Sequence, residues 1–118
     1  MMSGTVLWLQ GIYLVLTGLW PIIHYASFEK VTGGKTDVWL VKTTGGVLTV
    51  TGCALLAAAN SSYQAELPVV VIGMGNALAL LIADAWYTAR RVILPVYLAD
   101  AAMQFAWLLM WYIGFFVG

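Results

Sequence analysis

The chain has 118 residues, 63% of them hydrophobic and 8% charged, with a mean hydropathy of +0.93. A soluble domain carries roughly a quarter charged residues, so this composition excludes a surface solvated by water alone and makes lipid the main solvent. Five Lys and Arg balance five Asp and Glu, which leaves nucleic acid no basic surface to meet, and the single cysteine, Cys53, excludes an internal disulfide and paired-thiol chemistry within one chain.

A membrane helix needs about 20 apolar residues. The length therefore suits one all-α domain over residues 1–118, an integral membrane bundle of four transmembrane helices at about 5–25, 37–59, 67–89 and 92–115. The start, MMSGT, lacks the basic residues of a secretory leader and runs into a long apolar stretch, which reads as a retained helix. In the first span Pro21 deprives the Thr17 carbonyl of its amide partner and predicts a kink. Thr17, Pro21, His24 and Phe28 follow helical spacing, with Phe28 expected past the helix end. The connection SFEKVTGGKTD is polar and glycine-bearing, as a turn outside the bilayer should be. Its GGKT lacks the glycine that a phosphate-binding loop needs where Glu29 stands, and no strand precedes it.

The second span opens at Asp37, an N-cap or first-turn carboxylate. Gly45 and Gly52 stand seven residues apart, as Gly11 and Gly18 do in the first span. Small residues at that spacing let helix backbones approach closely in lipid, predicting packing within the bundle. Pro68 suits the first turn of the third span, along which Gly73, Asn76, Leu80, Asp84, Tyr87 and Arg91 form one stripe. The fourth span is expected to begin near Val92, with Pro95 in its first turn and Tyr97, Asp100, Gln104, Trp107 and Trp111 on one face.

Charge gives an orientation. Lys30, Lys35, Arg90 and Arg91 all fall in the first and third connections, whereas the second carries only Glu66. The positive-inside rule then puts both basic connections in the cytoplasm and both termini outside.

At 1.5 Å per helical residue, Asp84 would lie about 10 Å from the arginine turn, Asp100 about 13 Å, and Lys42 about 8 Å beyond Asp37. His24 sits near the same end of the first span. A charge facing lipid costs at least about 2.5 kcal/mol, so these groups are expected to face one another or a pocket. The candidate ligand-binding set is His24, Lys42, Asp84, Asp100, Gln104 and Asn76, walled by the aromatics Trp39, Tyr87 and Tyr97. Two carboxylates against one intramembrane lysine leave an acid to be protonated, partnered by His24 or Arg91, or reserved for a ligand. The blander account is structural: Lys42 locks one aspartate, and Asp84 pairs with Arg91 or bonds Thr88. A lone histidine builds no typical metal site, and no cofactor is implied.

Three functions fit this pattern. The first is binding or transport of a small amphipathic ligand through a charged pocket in the cytoplasmic half. In size and four-helix plan the chain resembles the small multidrug transporters, which work as dimers. They carry an essential glutamate in helix 1, where this chain has no acidic residue within the span. The second is an intramembrane acid–base enzyme or sterol-like ligand binder; in placing acidic residues within a four-helix pocket, the chain is similar to the emopamil-binding and sigma-2 receptor group. The third is an accessory subunit whose charges pair with another protein's helices. Membrane lipid is the expected environment, and a second copy or another protein is admitted as partner.

Overall fold

A computed structural model describes residues 2–33, 37–62 and 66–114, with side chains from Gly4 onward. Lys35 and Phe115, the expected end of the fourth span, lie outside the described residues. Among these residues the secondary structure is entirely helical: α1 (Met2–Ile23), α2 (Tyr25–Thr32), α3 (Val38–Ala59), α4 (Leu67–Ala89) and α5 (Tyr97–Tyr112). Three helices are long and apolar enough to cross a membrane, at Gly4–Ile23, Val38–Ala59 and Leu67–Ala89. Large apolar side chains such as Val50 (70% exposed) and Val71 (58%) stand on the outer surface, the arrangement of a membrane protein whose outside is lipid.

Two boundaries differ from the sequence expectation. The first span ends at Ile23, and the connection after it is not plain loop but the short helix α2. Helical bonding passes Pro21, since the His24 amide donates to the Trp20 carbonyl at 2.9 Å. At His24 the backbone leaves helical geometry (φ −142°, ψ 76°), and its Nδ1 accepts from the Ser27 amide as the N-cap of α2. Phe28 stacks edge-on against Trp20 at 5.4 Å, and Thr32 is buried, so α2 folds back on the bundle with an amphipathic face. Polar composition concealed that face.

The second correction concerns α5, which starts at Tyr97 rather than near Val92. A proline restricts the residue before it to extended backbone, so Leu94 cannot continue a helix into Pro95. The chain instead turns twice. Arg91 takes a left-handed φ of 59°, Val92 bonds back to the Tyr87 carbonyl, and Tyr97 to Leu94. The α-helical part covers 16 residues, about 24 Å, and a π turn carries it on through residues 113–114, the last described.

The helices form two pairs, α1 with α3 and α4 with α5, joined through α1 and α5. The first pair is a glycine seam. A Cβ on Gly52 would lie 2.7 Å from the Gly11 carbonyl oxygen, and one on Gly18 2.6 Å from the Thr49 hydroxyl, too close for a side chain at either place. Gly45 faces Gly18 across the same seam, with Pro21 beside it. The dry core is formed by Val6, Leu7 and Leu14 of α1, Leu55 of α3, Val70 and Ala77 of α4, and Trp107 and Trp111 of α5. These lie toward the start of α1 and α4 and the end of α3 and α5, away from α2. At the α2 end Gly33 packs on Leu94, which brings the first connection beside the α4–α5 turn.

The seam predicts a sharp contrast. Gly18→Val should destabilise the bundle by about 1–3 kcal/mol through overpacking, measured as loss of helix ellipticity on heating in detergent. Gly46→Ala and Gly75→Ala, whose added Cβ atoms meet nothing within 4 Å, should be neutral or mildly stabilising.

Candidate functional site: a buried carboxyl pair

The one strongly buried carboxyl among the described residues is Asp84 on α4, 6% exposed. It is a close neighbour of Asp100, in the first turn of α5, across the α4–α5 contact. The α1 residue Tyr13 donates its hydroxyl to Asp100 Oδ1. Gln104, one turn further along α5, donates its Nε2 to the same oxygen at 3.1 Å. Trp107 holds the Tyr13 ring edge-on, with centroids 5.7 Å apart. The pair is therefore set by three helices, with α1 supplying the hydroxyl that bridges the two halves of the fold.

A second polar layer lies deeper. Gln10 is fully buried; its Oε1 accepts from Trp111 Nε1 at 2.7 Å and its Nε2 donates to the Gly73 carbonyl at 2.9 Å. The Trp111 ring occupies the space that any side chain at position 73 would need, so glycine lets α4 and α5 close there. This layer satisfies itself.

The carboxyl layer does not. Asp84 Oδ2, Gln104 Oε1, Trp107 Nε1 and Thr88 Oγ1 are buried without a hydrogen-bond partner, as is Asn76 Oδ1 two turns away on α4. Each such group costs about 1–3 kcal/mol, and all five stand on α4 and α5. Where buried polar groups remain unpaired in a folded protein, a functional cause is expected. On the α2 side of the pair lies a pocket of about 440 Å³, lined by Thr32, Gly33, Thr88, Arg91 and the 92–95 turn. Thr88 is one turn along α4 from Asp84, and Tyr97, three residues before Asp100, hydrogen-bonds to Thr32.

Of the nine residues singled out in the sequence, the fold brings Asp84, Asp100 and Gln104 together, with Tyr97 at the edge. Asn76 is on the same α4 stripe, but it lines a separate groove between α3 and α4, beside Thr51 and Gly75. His24 is exposed at the α1–α2 corner, where its ring caps α2. Lys42 and Trp39 (69% exposed) stand on the outer surface of α3, which packs mainly on α1 rather than on the helices that carry the aspartates. Tyr87 is 48% exposed on α4. Neither bond envisaged for Asp84 as a helix-end arrangement forms: its neighbour is Asp100, and the Thr88 hydroxyl is unpartnered. The sequence reading missed Gln10 and Tyr13. Their signal was a polar stripe, Gln10, Tyr13 and Thr17, at helical spacing through an otherwise apolar span.

The self-satisfied layer yields a stability prediction. Gln10→Leu conserves approximate volume but leaves the Trp111 indole N–H unpaired in the core, and should cost about 1–3 kcal/mol. A lowered thermal midpoint, followed by ellipticity in detergent, would check it.

Comparison of the chain with protein-family models, with curated proteins and with solved structures finds no match.

Proposed function

We propose that this chain is a four-span membrane protein, with both termini outside, that binds or carries a small amphipathic molecule at the Asp84–Asp100 pair. One observation carries the reading. A buried carboxyl with an unpartnered acceptor, Asp84 Oδ2, stands one helical turn from Thr88, which lines a pocket of mixed character. A donor-bearing polar group, an amine or hydroxyl, that reached past Thr88 would satisfy that acceptor. The two threonine hydroxyls and Arg91 offer polar contacts nearer the surface, and Ile93, Leu94 and Pro95 offer an apolar wall. Ligand sites generally have this composition, mostly apolar with a few convergent polar groups.

The orientation rests on Lys30, Arg90 and Arg91, which lie at the end where Gly33 meets Leu94. In the proposed topology the pocket opens toward the cytoplasm, and α5 with its preceding turn makes the fourth crossing. A C-terminal reporter active only outside the cytoplasm should be active, and the same reporter inserted after Arg91 should be silent. The reverse pattern would overturn the orientation.

For the ligand, mass spectrometry of material retained by the purified protein is the direct test. Asp84→Asn and Asp100→Asn should each lower retention about tenfold or more, the equivalent of a charge-assisted hydrogen bond of about 1.5–3 kcal/mol. Lys42→Ala and His24→Ala should leave it unchanged. Loss of helix content in both aspartate variants, with retention of the residual folded protein intact, would make the pair structural.

A second reading draws on Tyr13. A hydroxyl on Asp100 beside a second carboxyl is a constellation able to give and take a proton, as intramembrane acid–base catalysis would require. Turnover of the retained molecule by wild-type protein, lost in Tyr13→Phe while retention persists, would favour it.

A further inference from the structure

Two files of polar groups lead from the α2-end pocket to the carboxyl pair. On α4, Thr88 lines the pocket and lies four residues after Asp84, about 6 Å of rise. On α5, Tyr97 bonds to Thr32, itself a pocket residue, and precedes Asp100 by three residues. The Thr88 hydroxyl and Asp84 Oδ2 are both buried and unpartnered. Beyond the pair the polarity changes character. Gln104 Oε1 and Trp107 Nε1 are unpartnered, on residues 0% and 5% exposed, and after them comes the closed Gln10–Trp111–Gly73 layer set in apolar core. The pair thus has hydroxyls toward the pocket and, past Gln104 and Trp107, a self-satisfied layer set in apolar core.

From this asymmetry we propose that the Thr88 and Thr32–Tyr97 files form a one-sided inlet, which delivers water and protons to Asp84 and Asp100 as a proton-binding site. A hydronium ion at the pocket gives its proton to a carboxylate oxygen of the pair and leaves water; the reverse step returns it. An acidic cluster alone would not carry such an assignment, but the buried, unpartnered Gln104 Oε1 and Trp107 Nε1 offer one acceptor and one donor, the complement that a water molecule needs. The titratable groups facing the pair are Tyr13 from α1, Tyr97 from α5 and the two carboxyls themselves. Arg91 lines the outer pocket. From α2 the neighbouring group is the Thr32 hydroxyl, whereas the α3 cation Lys42 is exposed. The inlet shares its pocket with the proposed ligand but requires no ligand.

Hydrogen–deuterium exchange of the carboxyl C=O band, followed by infrared spectroscopy on the full chain in lipid vesicles, tests the inlet. Asp84→Asn and Asp100→Asn assign the band. Thr88→Val keeps the shape of the side chain and removes its hydroxyl, and should slow the exchange about tenfold relative to wild type. Thr32→Val should slow it too, and Thr88→Ser should restore the wild-type rate. Wild-type exchange in both valine variants, with helix content unchanged, would overturn the inlet, as would the absence of a protonated carboxyl band at every pH where the protein is folded. Ligand retention measured on the same samples keeps the two ideas apart. Slow exchange with no retained molecule upholds the inlet without the ligand reading, and wild-type exchange with retention overturns the inlet alone.

Discussion

Helix α1 has to satisfy two neighbours of opposite chemistry. Toward α3 it must be nearly without side chains, because backbones meet there through Gly11 and Gly18. Toward α4 and α5 it must supply hydrogen bonds, which it does through Gln10 and Tyr13. The two requirements are compatible because successive residues on a helix point about 100° apart: Gln10 and Gly11 are neighbours in sequence yet serve different partners. Within lipid, water cannot satisfy whatever a helix leaves unpaired. The polar face of α1 therefore ties the α4–α5 pair to the α1–α3 pair, and both polar layers depend on it.

The two layers use similar residue types to different ends. Gln10, Trp111 and the Gly73 carbonyl form a closed set in which a carboxamide serves one donor and one acceptor. That arrangement specifies register and needs nothing else. In the carboxyl layer, Tyr13 and Gln104 both spend their donors on one oxygen of Asp100, leaving Asp84 Oδ2 and Gln104 Oε1 with none. If stability were the only requirement, an apolar residue at position 84 would avoid the cost of an incompletely satisfied buried carboxyl. Four of the unpartnered groups, Asp84 Oδ2, Gln104 Oε1, Trp107 Nε1 and Thr88 Oγ1, gather around the carboxyl pair, next to a layer that satisfies itself.

Much of this fold was legible in the chain. The apolar runs of α3 and α4 gave their bounds to within a residue, since nothing but lipid or core can solvate 22 or 23 such residues. The glycine spacing predicted close packing within the bundle, and the fold places it between α1 and α3. The carboxylates stood out because an acid in an apolar run is costly wherever it lies. What the sequence could not supply was azimuth between helices. His24 and Lys42 share a depth with the aspartates, and depth follows from counting residues, but meeting requires facing the same neighbour. Lys42 is on a helix whose partner is α1, and His24 caps a short helix that polar composition had disguised as loop. Tyr13 was overlooked for the converse reason: an interior tyrosine reads as an aromatic among aromatics until its hydroxyl is placed.

Pro95 links the fold to the site. By keeping Leu94 out of helical geometry it delays α5 to Tyr97, so the chain crosses between α4 and α5 on two turns instead of one tight link. That detour moves the 92–95 backbone outward and opens the pocket against Thr32 and Gly33, while α2 folds back to wall its other side. A fourth helix beginning at Val92 would replace the turn whose residues 92–95 line that pocket. The late start of α5 thus sets the 92–95 turn against Thr32 and Thr88, one helical turn from the buried Asp84.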